Sequence, residues 1–200
     1  MRSTLLLILT SVIFVASVSA ALSPPSEAPS SPLVEELPVT NDSFNIVMSV
    51  VTHQRCMNCH PSDDRPRQGD DSHVHNFNVQ RGEESHGTGI VQCRTCHQQE
   101  NNDFSGVPGA PHWHLAPKSM GWAGLSRVEI ARALLDEEKN GGRSLADLET
   151  HMTEDPLVLW AFEPGINNEG EARQKPPVSK KEFVTAVKAW IAAGAPVPNE

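Results

Sequence analysis

The apolar residues in the second half of the chain follow helical spacing, recurring three and four residues apart. Such spacing places apolar side chains on one face and predicts amphipathic α-helices. Capping-box sequences start at Ser126 and Ser179, and Ser144 is the expected N-cap of a shorter helix between them. The first of these helices is expected to end at the Asn-Gly-Gly sequence of residues 140–142, and the last at Gly194. The apolar positions of the three helices are Val128, Ala131, Leu134 and Leu135, then Leu145, Leu148 and Met152, then Phe183, Ala186, Val187, Trp190 and Ile191.

The first half of the chain contains one predicted helix and long stretches without periodicity. Residues 44–51 are apolar nearly all round, which predicts a short buried helix that begins after an N-cap cluster at residues 41–43. Residues 61–89 and residues 98–125 contain many turn residues and no sustained period. Loops of this length are normally either mobile or held by a specific bond. The predicted fold class is therefore mainly α, with long irregular loops.

The N-terminal segment has the pattern of an export signal. Residues 1–20 combine Arg2, an apolar run and small residues up to Ala20. The run is short for a membrane-spanning helix, so we expect cleavage after Ala20, with retention as an anchor as the alternative. Residues 21–41 are rich in Pro, Ser and Glu and predict a linker, which leaves residues 42–200 as one domain. The mature chain is expected to be a soluble periplasmic protein.

Two copies of a C-x-x-C-H motif contain all four cysteines of the chain. The copies span residues 56–60 and 93–97. This is the attachment sequence of c-type haem, in which two thiols bond the macrocycle and the histidine becomes the proximal iron ligand. A zinc site and a thioredoxin-like redox motif are the alternatives. A four-cysteine zinc site has no use for two histidines, and the sequence lacks the βαβ pattern expected around a thioredoxin motif.

We therefore predict two covalently bound c-type haems, with His60 and His97 as proximal iron ligands. Aromatic residues are scarce and tyrosine is absent, so the protein alone offers a thin hydrophobic core. Two apolar macrocycles would complete that core. The expected architecture is a set of cytochrome-c-like helices and long irregular loops wrapped around the two haems. The residues expected to attach them are Cys56, Cys59, Cys93 and Cys96.

The second axial ligand of each iron is less clearly marked in the sequence. His75 and His114 are our predicted distal ligands, because both lie in irregular stretches that a bond to iron would hold in place. His53 and His151 are alternatives on apolar helical faces. Met120 is a further alternative, because it ends a Pro-x-x-Met segment of the kind that supplies a thioether ligand in single-haem cytochromes.

The charge of the chain limits the partners that it can attract. The formal net charge is −9, and removal of Arg2 with the signal would leave −10. An acidic surface argues against nucleic acid and against anionic membrane surfaces. It favours weak, electrostatically steered docking with a protein that carries a basic patch.

Several segments that together cover nearly all of the chain beyond the linker carry a family resemblance. They are residues 53–61, 78–82, 108–117, 140–143, 151–152, 155–160, 164–165, 190–191 and 194–195. With these segments the chain resembles a family of small exported dihaem cytochromes, often labelled as subunits of isoquinoline 1-oxidoreductase-type molybdenum hydroxylases. The resemblance implies a role in accepting electrons from a molybdenum enzyme, without implying that this chain binds molybdenum. The family's Trp-His-Leu-Ala-Pro pattern favours His114 over His112 as a ligand. The family commonly has a cysteine near its last proline, where this chain has Val197.

The expected function is that of a periplasmic electron carrier, not an enzyme. It would transfer electrons between redox partner proteins, for example from a molybdenum hydroxylase-type dehydrogenase to the respiratory chain. Two haems on one short chain would let an electron enter at one and leave from the other. The alternatives are a small dihaem peroxidase-like enzyme and a haem-based sensor, both of which need an iron with an open axial position. Carbon monoxide binding to the reduced protein distinguishes these alternatives from a carrier.

Overall fold

The structure is a computed structural model that describes residues 41–199. The predicted signal segment and residues 21–40 of the predicted linker lie outside the described residues. In the described part the chain forms seven α-helices and two small antiparallel sheets, which confirms a helix-rich fold. None of the helices within residues 41–199 has both the length and the apolar character needed to cross a bilayer. The helices are α1 (Asn41–Val51), α2 (Gln54–Met57), α3 (Cys93–Cys96), α4 (Arg127–Leu135), α5 (Leu145–Glu154), α6 (Pro156–Leu159) and α7 (Lys180–Ala192).

The hydrophobic core lies where the C-terminal helix α7 packs against α1 and α5. Trp190 of α7 is almost fully buried, meets the ring of Phe44 edge-on at 6.5 Å, and donates from Nε1 to the Pro196 carbonyl at 2.9 Å. Phe183, one turn from the start of α7, packs against Phe162 at 5.3 Å between ring centroids. Four of the five positions predicted for the apolar stripe of this helix are buried, and the fifth, Ile191, is half-buried against the core. The stripe's buried members are Phe183, Ala186, Val187 and Trp190.

The helix starts agree closely with the sequence. Ser126 and Ser179 each cap a helix through a reciprocal capping box, with Glu129 and Glu182 as the partners. Ser144 caps α5 in the same way, although the returning side chain there is Asp147. The helix α1 already includes residues 41–43, which the sequence had suggested would precede it. Differences of one or two residues at a helix end are ordinary.

The end of α4 differs from the prediction. The helix ends at Leu135, five residues before the Asn-Gly-Gly sequence, and residues 136–142 form turns. The side-chain amide of Asn140 donates to the carbonyls of Leu134 and Arg143, each at 2.9 Å. This buried amide satisfies a carbonyl that the helix leaves free at its end, so the chain can turn early without a buried unpaired acceptor.

The irregular stretch between the two motifs contains two hairpins that the sequence did not suggest. Strand β1 (Arg67–Gln68) pairs with β2 (His73–Val74), and β3 (Gly87–Thr88) pairs with β4 (Val91–Gln92), both antiparallel. Strands of two residues are too short to show an alternating pattern. The expectation of a largely irregular segment therefore holds, apart from these short ladders.

A buried arginine connects the irregular segments to each other. Arg81 donates to the carbonyls of Pro61 and Asp63 at 3.0 and 3.1 Å, and also to the carbonyl of Ala116. Its side chain pairs with Asp64 at 3.5 Å. One guanidinium thus joins the segment that follows the first motif to the segment around residue 116, and it positions both beside the first motif.

Candidate functional site

The first C-x-x-C-H motif is built on the single turn of α2. The backbone N–H of Cys59 donates to the Cys56 carbonyl at 3.0 Å, which brings both cysteines onto one turn. His60 follows directly, and its Nδ1 is 2.8 Å from the Met120 carbonyl oxygen. The imidazole stacks on the indole of Trp122, with centroids 3.4 Å apart and planes at 14°. Because a backbone carbonyl engages Nδ1, the ring nitrogen left to bind a metal is Nε2.

A large cavity lies beside Cys56, Cys59 and His60. About 930 Å³ of it is free of protein atoms, part of this space being open to solvent. Cofactor and ligand sites typically measure roughly 300–1,000 Å³ and have mainly apolar walls. Arg55 and Arg143 also line this cavity. Its apolar walls include Leu134, Leu148, Met152, Leu157, Val158 and Phe183, contributed by α4, α5, α6 and α7.

Burial controls the ionisation of the first motif. It raises the pKa of Cys56 to about 12 and that of Cys59 to about 11, and it lowers the pKa of His60 to about 3. At neutral pH the thiols are therefore protonated and the imidazole is neutral, which is the form that binds a metal. A thioredoxin-like redox motif needs a cysteine with a lowered pKa. Because burial raises the pKa of both Cys56 and Cys59, these thiols do not meet that requirement.

The second motif repeats the local construction of the first. The turn α3 carries both cysteines, and Nδ1 of His97 is 2.7 Å from the Pro108 carbonyl oxygen. The His97 ring stacks on Trp113, with centroids 4.5 Å apart and planes at 5°. Burial lowers the pKa of His97 to about 4. Both motif histidines thus have a carbonyl on Nδ1, a stacked indole and a free Nε2.

The two motifs lie near each other. The indole of Trp113, stacked on His97, meets Trp160 edge-on at 4.9 Å. Trp160 lines the cavity of the first motif. The contact between these two tryptophans therefore joins the sites.

His75, a predicted distal ligand, lies edge-on beside His97. The centroids of the two rings are 6.1 Å apart, and the planes are at 73°. Bonds between histidine nitrogen and a metal are about 2 Å long, so two imidazoles on opposite sides of one metal have centroids roughly 6 Å apart. Nδ1 of His75 is 2.8 Å from the Asn76 carbonyl oxygen, which leaves its Nε2 free. The spacing of this pair suits a shared metal ion.

Two further histidines line the cavity of the first motif. His114, the other predicted distal ligand, has Nδ1 2.7 Å from the Leu115 carbonyl oxygen, and its ring stacks on His86 at 5.1 Å. His151 projects from α5, with Nδ1 3.0 Å from Oδ2 of Asp155. Either histidine could serve an iron held by His60.

The remaining alternatives are placed differently. His53 is the N-cap of α2, and its Nδ1 accepts from the backbone N–H of Arg55 at 3.2 Å. Met120 is buried and lines the cavity, but its carbonyl is the partner of His60 Nδ1. It therefore lies on the same side of the site as His60. His112 is exposed, with a positive φ of 59°.

A zinc site would need three or four metal-binding side chains to converge on one point. Within residues 41–199 no group of three or more His, Cys, Asp or Glu side chains is arranged in that way.

Several contacts of the site were not foreseen from the sequence. The stacking of Trp122 on His60 and the bond from His60 to the Met120 carbonyl join residues about sixty positions apart. Backbone carbonyls carry no sequence pattern, so no local signal marks these partners. The pair of His151 and Asp155 is different, because its spacing of four residues at the end of a helix is visible in the sequence.

Comparisons of this chain with protein-family models, with curated proteins and with solved structures returned no match.

Proposed function

We propose that this chain is an exported dihaem c-type cytochrome that carries electrons between redox partner proteins. The observation that carries the proposal is the repeated construction of the two C-x-x-C-H turns. In each, the histidine has Nδ1 engaged by a distant backbone carbonyl and an indole stacked on its ring. Hydrogen bonds from Nδ1 to a carbonyl orient metal-binding histidines and leave Nε2 for the metal.

The residues around the first motif fit a haem. The cavity has apolar walls and two cysteines on one turn, which suits a flat apolar macrocycle bonded through two thioethers. Arg143 lines the same cavity and would provide positive charge for a haem propionate. Arg55 lines it too, but its guanidinium already pairs with Asp70 and donates to the Gln174 carbonyl at 3.0 Å. When bound, the haem iron supplies one-electron redox chemistry.

The chain itself would tune each site through its own contacts. The carbonyls of Met120 and Pro108 fix the tautomer and orientation of His60 and His97. Around the first motif, apolar side chains of α4, α5 and α7 line the cavity and would lower the local dielectric around a bound haem. At the second motif the spacing of His75 and His97 supports our earlier choice of His75 as the distal ligand. Bis-histidine ligation lowers the reduction potential relative to ligation by histidine and methionine.

The nearness of the two motifs supports a role in electron transfer. The contact of Trp113, stacked on His97, with Trp160 in the wall of the first cavity implies that two haems would lie near each other. An electron arriving at one group would then have a short path to the other. The acidic charge of the chain suits a partner with a basic patch. Following the family resemblance, we propose a molybdenum hydroxylase-type dehydrogenase as one such partner.

The proposal is tested on the purified exported protein by reductive titration and exposure to carbon monoxide. We expect two one-electron reductions and no carbon monoxide complex at neutral pH, because both irons would have two protein ligands. Electron transfer to a basic acceptor protein should slow as ionic strength rises. A carbon monoxide complex at one reduced haem would contradict the carrier function and favour the peroxidase-like enzyme or the sensor.

A further inference from the structure

We propose that His151 is the second axial ligand of the iron at the first motif and that Asp155 positions it. This inference rests on the proposed function and replaces His114, which we predicted from the sequence as a distal ligand without assigning it to one of the two irons. It concerns the choice between the two cavity histidines, His114 and His151.

The two histidines reach the cavity from different parts of the chain. The segment that carries His114 runs along the first motif: the Ala116 N–H donates to the Cys59 carbonyl at 3.0 Å, and the Trp122 N–H donates to the His60 carbonyl at 2.9 Å. Two axial ligands must approach an iron from opposite faces of the macrocycle. A segment hydrogen-bonded along the proximal residues is poorly placed to reach the other face.

His151 comes from a different wall of the cavity. Helix α5 also contributes Leu148 and Met152 to that wall, and it packs against α6 and α7 in the core. This wall therefore belongs to the helical core and not to the segment that is hydrogen-bonded along the first motif.

The imidazole of His151 is held more firmly than that of His114. Oδ2 of Asp155 is 3.0 Å from Nδ1 of His151, and Oδ1 accepts the backbone N–H of Leu157 at 2.9 Å. The carboxylate is thus fixed at the start of α6, and the hydrogen bond from His151 is the main cause of its lowered pKa. A metal-binding histidine commonly donates its other ring N–H to a carboxylate in this way. His114 has only the carbonyl of its neighbour Leu115 on Nδ1, and its ring stacks on His86.

An anionic partner on Nδ1 has a consequence for the iron. It makes the imidazole a stronger electron donor and therefore stabilises the ferric state relative to the ferrous state. No carboxylate bond is found at His75 or His97, whose Nδ1 atoms meet carbonyls in the described structure. If both haems have two histidine ligands and equal burial, the first-motif haem should therefore have a lower reduction potential than the second-motif haem.

The test compares four variants of the haem-loaded protein by absorption and electron paramagnetic resonance spectroscopy. His151→Ala should turn one of two low-spin haems high-spin and let it bind carbon monoxide when reduced. His114→Ala, the matched control, should leave both haems low-spin. His151→Met should keep the haem low-spin, add a near-infrared charge-transfer band from the methionine sulfur, and raise one reduction potential. Asp155→Asn, which keeps an N-cap side chain, should raise the same potential without changing spin state.

The failure of this inference is distinguishable from the failure of the proposed function. Covalent haem is counted independently in every variant. Two haems in the wild-type protein together with two low-spin haems in His151→Ala would overturn the assignment of His151 alone. A high-spin haem in His114→Ala, with His151→Met lacking the charge-transfer band, would assign the position to His114. Absence of covalent haem from the wild-type protein would overturn the proposed function itself.

Discussion

The two C-x-x-C-H motifs share one local construction but lie in very different surroundings. The first opens into a cavity whose walls come mainly from the helical core. The second sits among two-residue hairpins and loops, where Cys96 is exposed and the apolar side chains of Ile90 and Phe104 are almost entirely in solvent. The contrast shows that the two-cysteine turn is organised over a few residues, whereas its burial depends on the helices far along the chain.

This difference suggests a division of labour between two haems. A haem at the first motif would fill space that the helices leave open, so the fold would depend on it. A haem at the second motif would lie closer to solvent and to an approaching partner protein. The first would thus be both core and redox centre, and the second chiefly a point of electron entry or exit.

The largest expected effect comes from removing each attachment site in turn. A variant with Cys56→Ala and Cys59→Ala should lose one haem and leave the cavity between α4, α5 and α7 unfilled. We expect a loss in free energy of unfolding above about 5 kcal/mol, the upper range for deleting one large core side chain. The measurement is denaturant unfolding followed by circular dichroism of the helices.

The matched variant removes the second site through Cys93→Ala and Cys96→Ala. It should also lose one haem, yet the helical core should lose no more than about 1 kcal/mol, because the main contact of α3 is with β4 and neither cysteine belongs to the hydrophobic core. Equal destabilisation by the two double variants would contradict the contrast between the sites.

The next effect concerns the arginine that joins the loops. Arg81→Met leaves the carbonyls of Pro61, Asp63 and Ala116 without their charged donor. Hydrogen bonds to charged groups contribute about 1.5–3 kcal/mol each, so we expect a loss of at least about 3 kcal/mol in free energy of unfolding. Arg94→Met is the control from the second motif. Arg94 is exposed, and its removal should change stability by less than about 0.5 kcal/mol.

The helical part of this fold was predictable because its determinants are local. Ser126 and Ser179 meet their capping partners three residues away, and the stripe on α7 repeats within one helix. The end of α4 was mispredicted because the glycines of residues 141–142 are a generic stop signal. The actual end at Leu135 depends on the side chain of Asn140, whose contact with the Leu134 carbonyl has no sequence pattern.

The candidate site divides in the same way. The motif turns were predictable, since Cys56 and Cys59 need only one another and the next histidine. The stacking of Trp122 on His60 depends on how a loop sixty residues later folds back, which no local pattern encodes. His75 was proposed from the sequence only as a ligand that would hold a loop, without being paired with His97, and the spacing of the two rings is apparent only in the structure.

The N-cap of α7 should have a smaller effect on stability. Ser179→Ala removes the cap of α7, which forms both the core and one wall of the first cavity. Replacing a capping serine by alanine lowers protein stability by about 0.5–2 kcal/mol, so we expect a loss of about 1 kcal/mol in free energy of unfolding. The comparison variant is Ser105→Ala, in the exposed loop after the second motif. Its effect should stay within about 0.5 kcal/mol, and a larger loss there would mean that this loop is more firmly built than its exposure indicates.

The central claim is that this chain holds two covalent haems, and intact mass spectrometry of the exported protein tests it most directly. The account predicts a polypeptide mass increased by two haems, and by one haem in each double-cysteine variant. Metal analysis of the same sample should give two irons per chain and no zinc. An unmodified polypeptide mass, or zinc in place of iron, would contradict the account at its foundation.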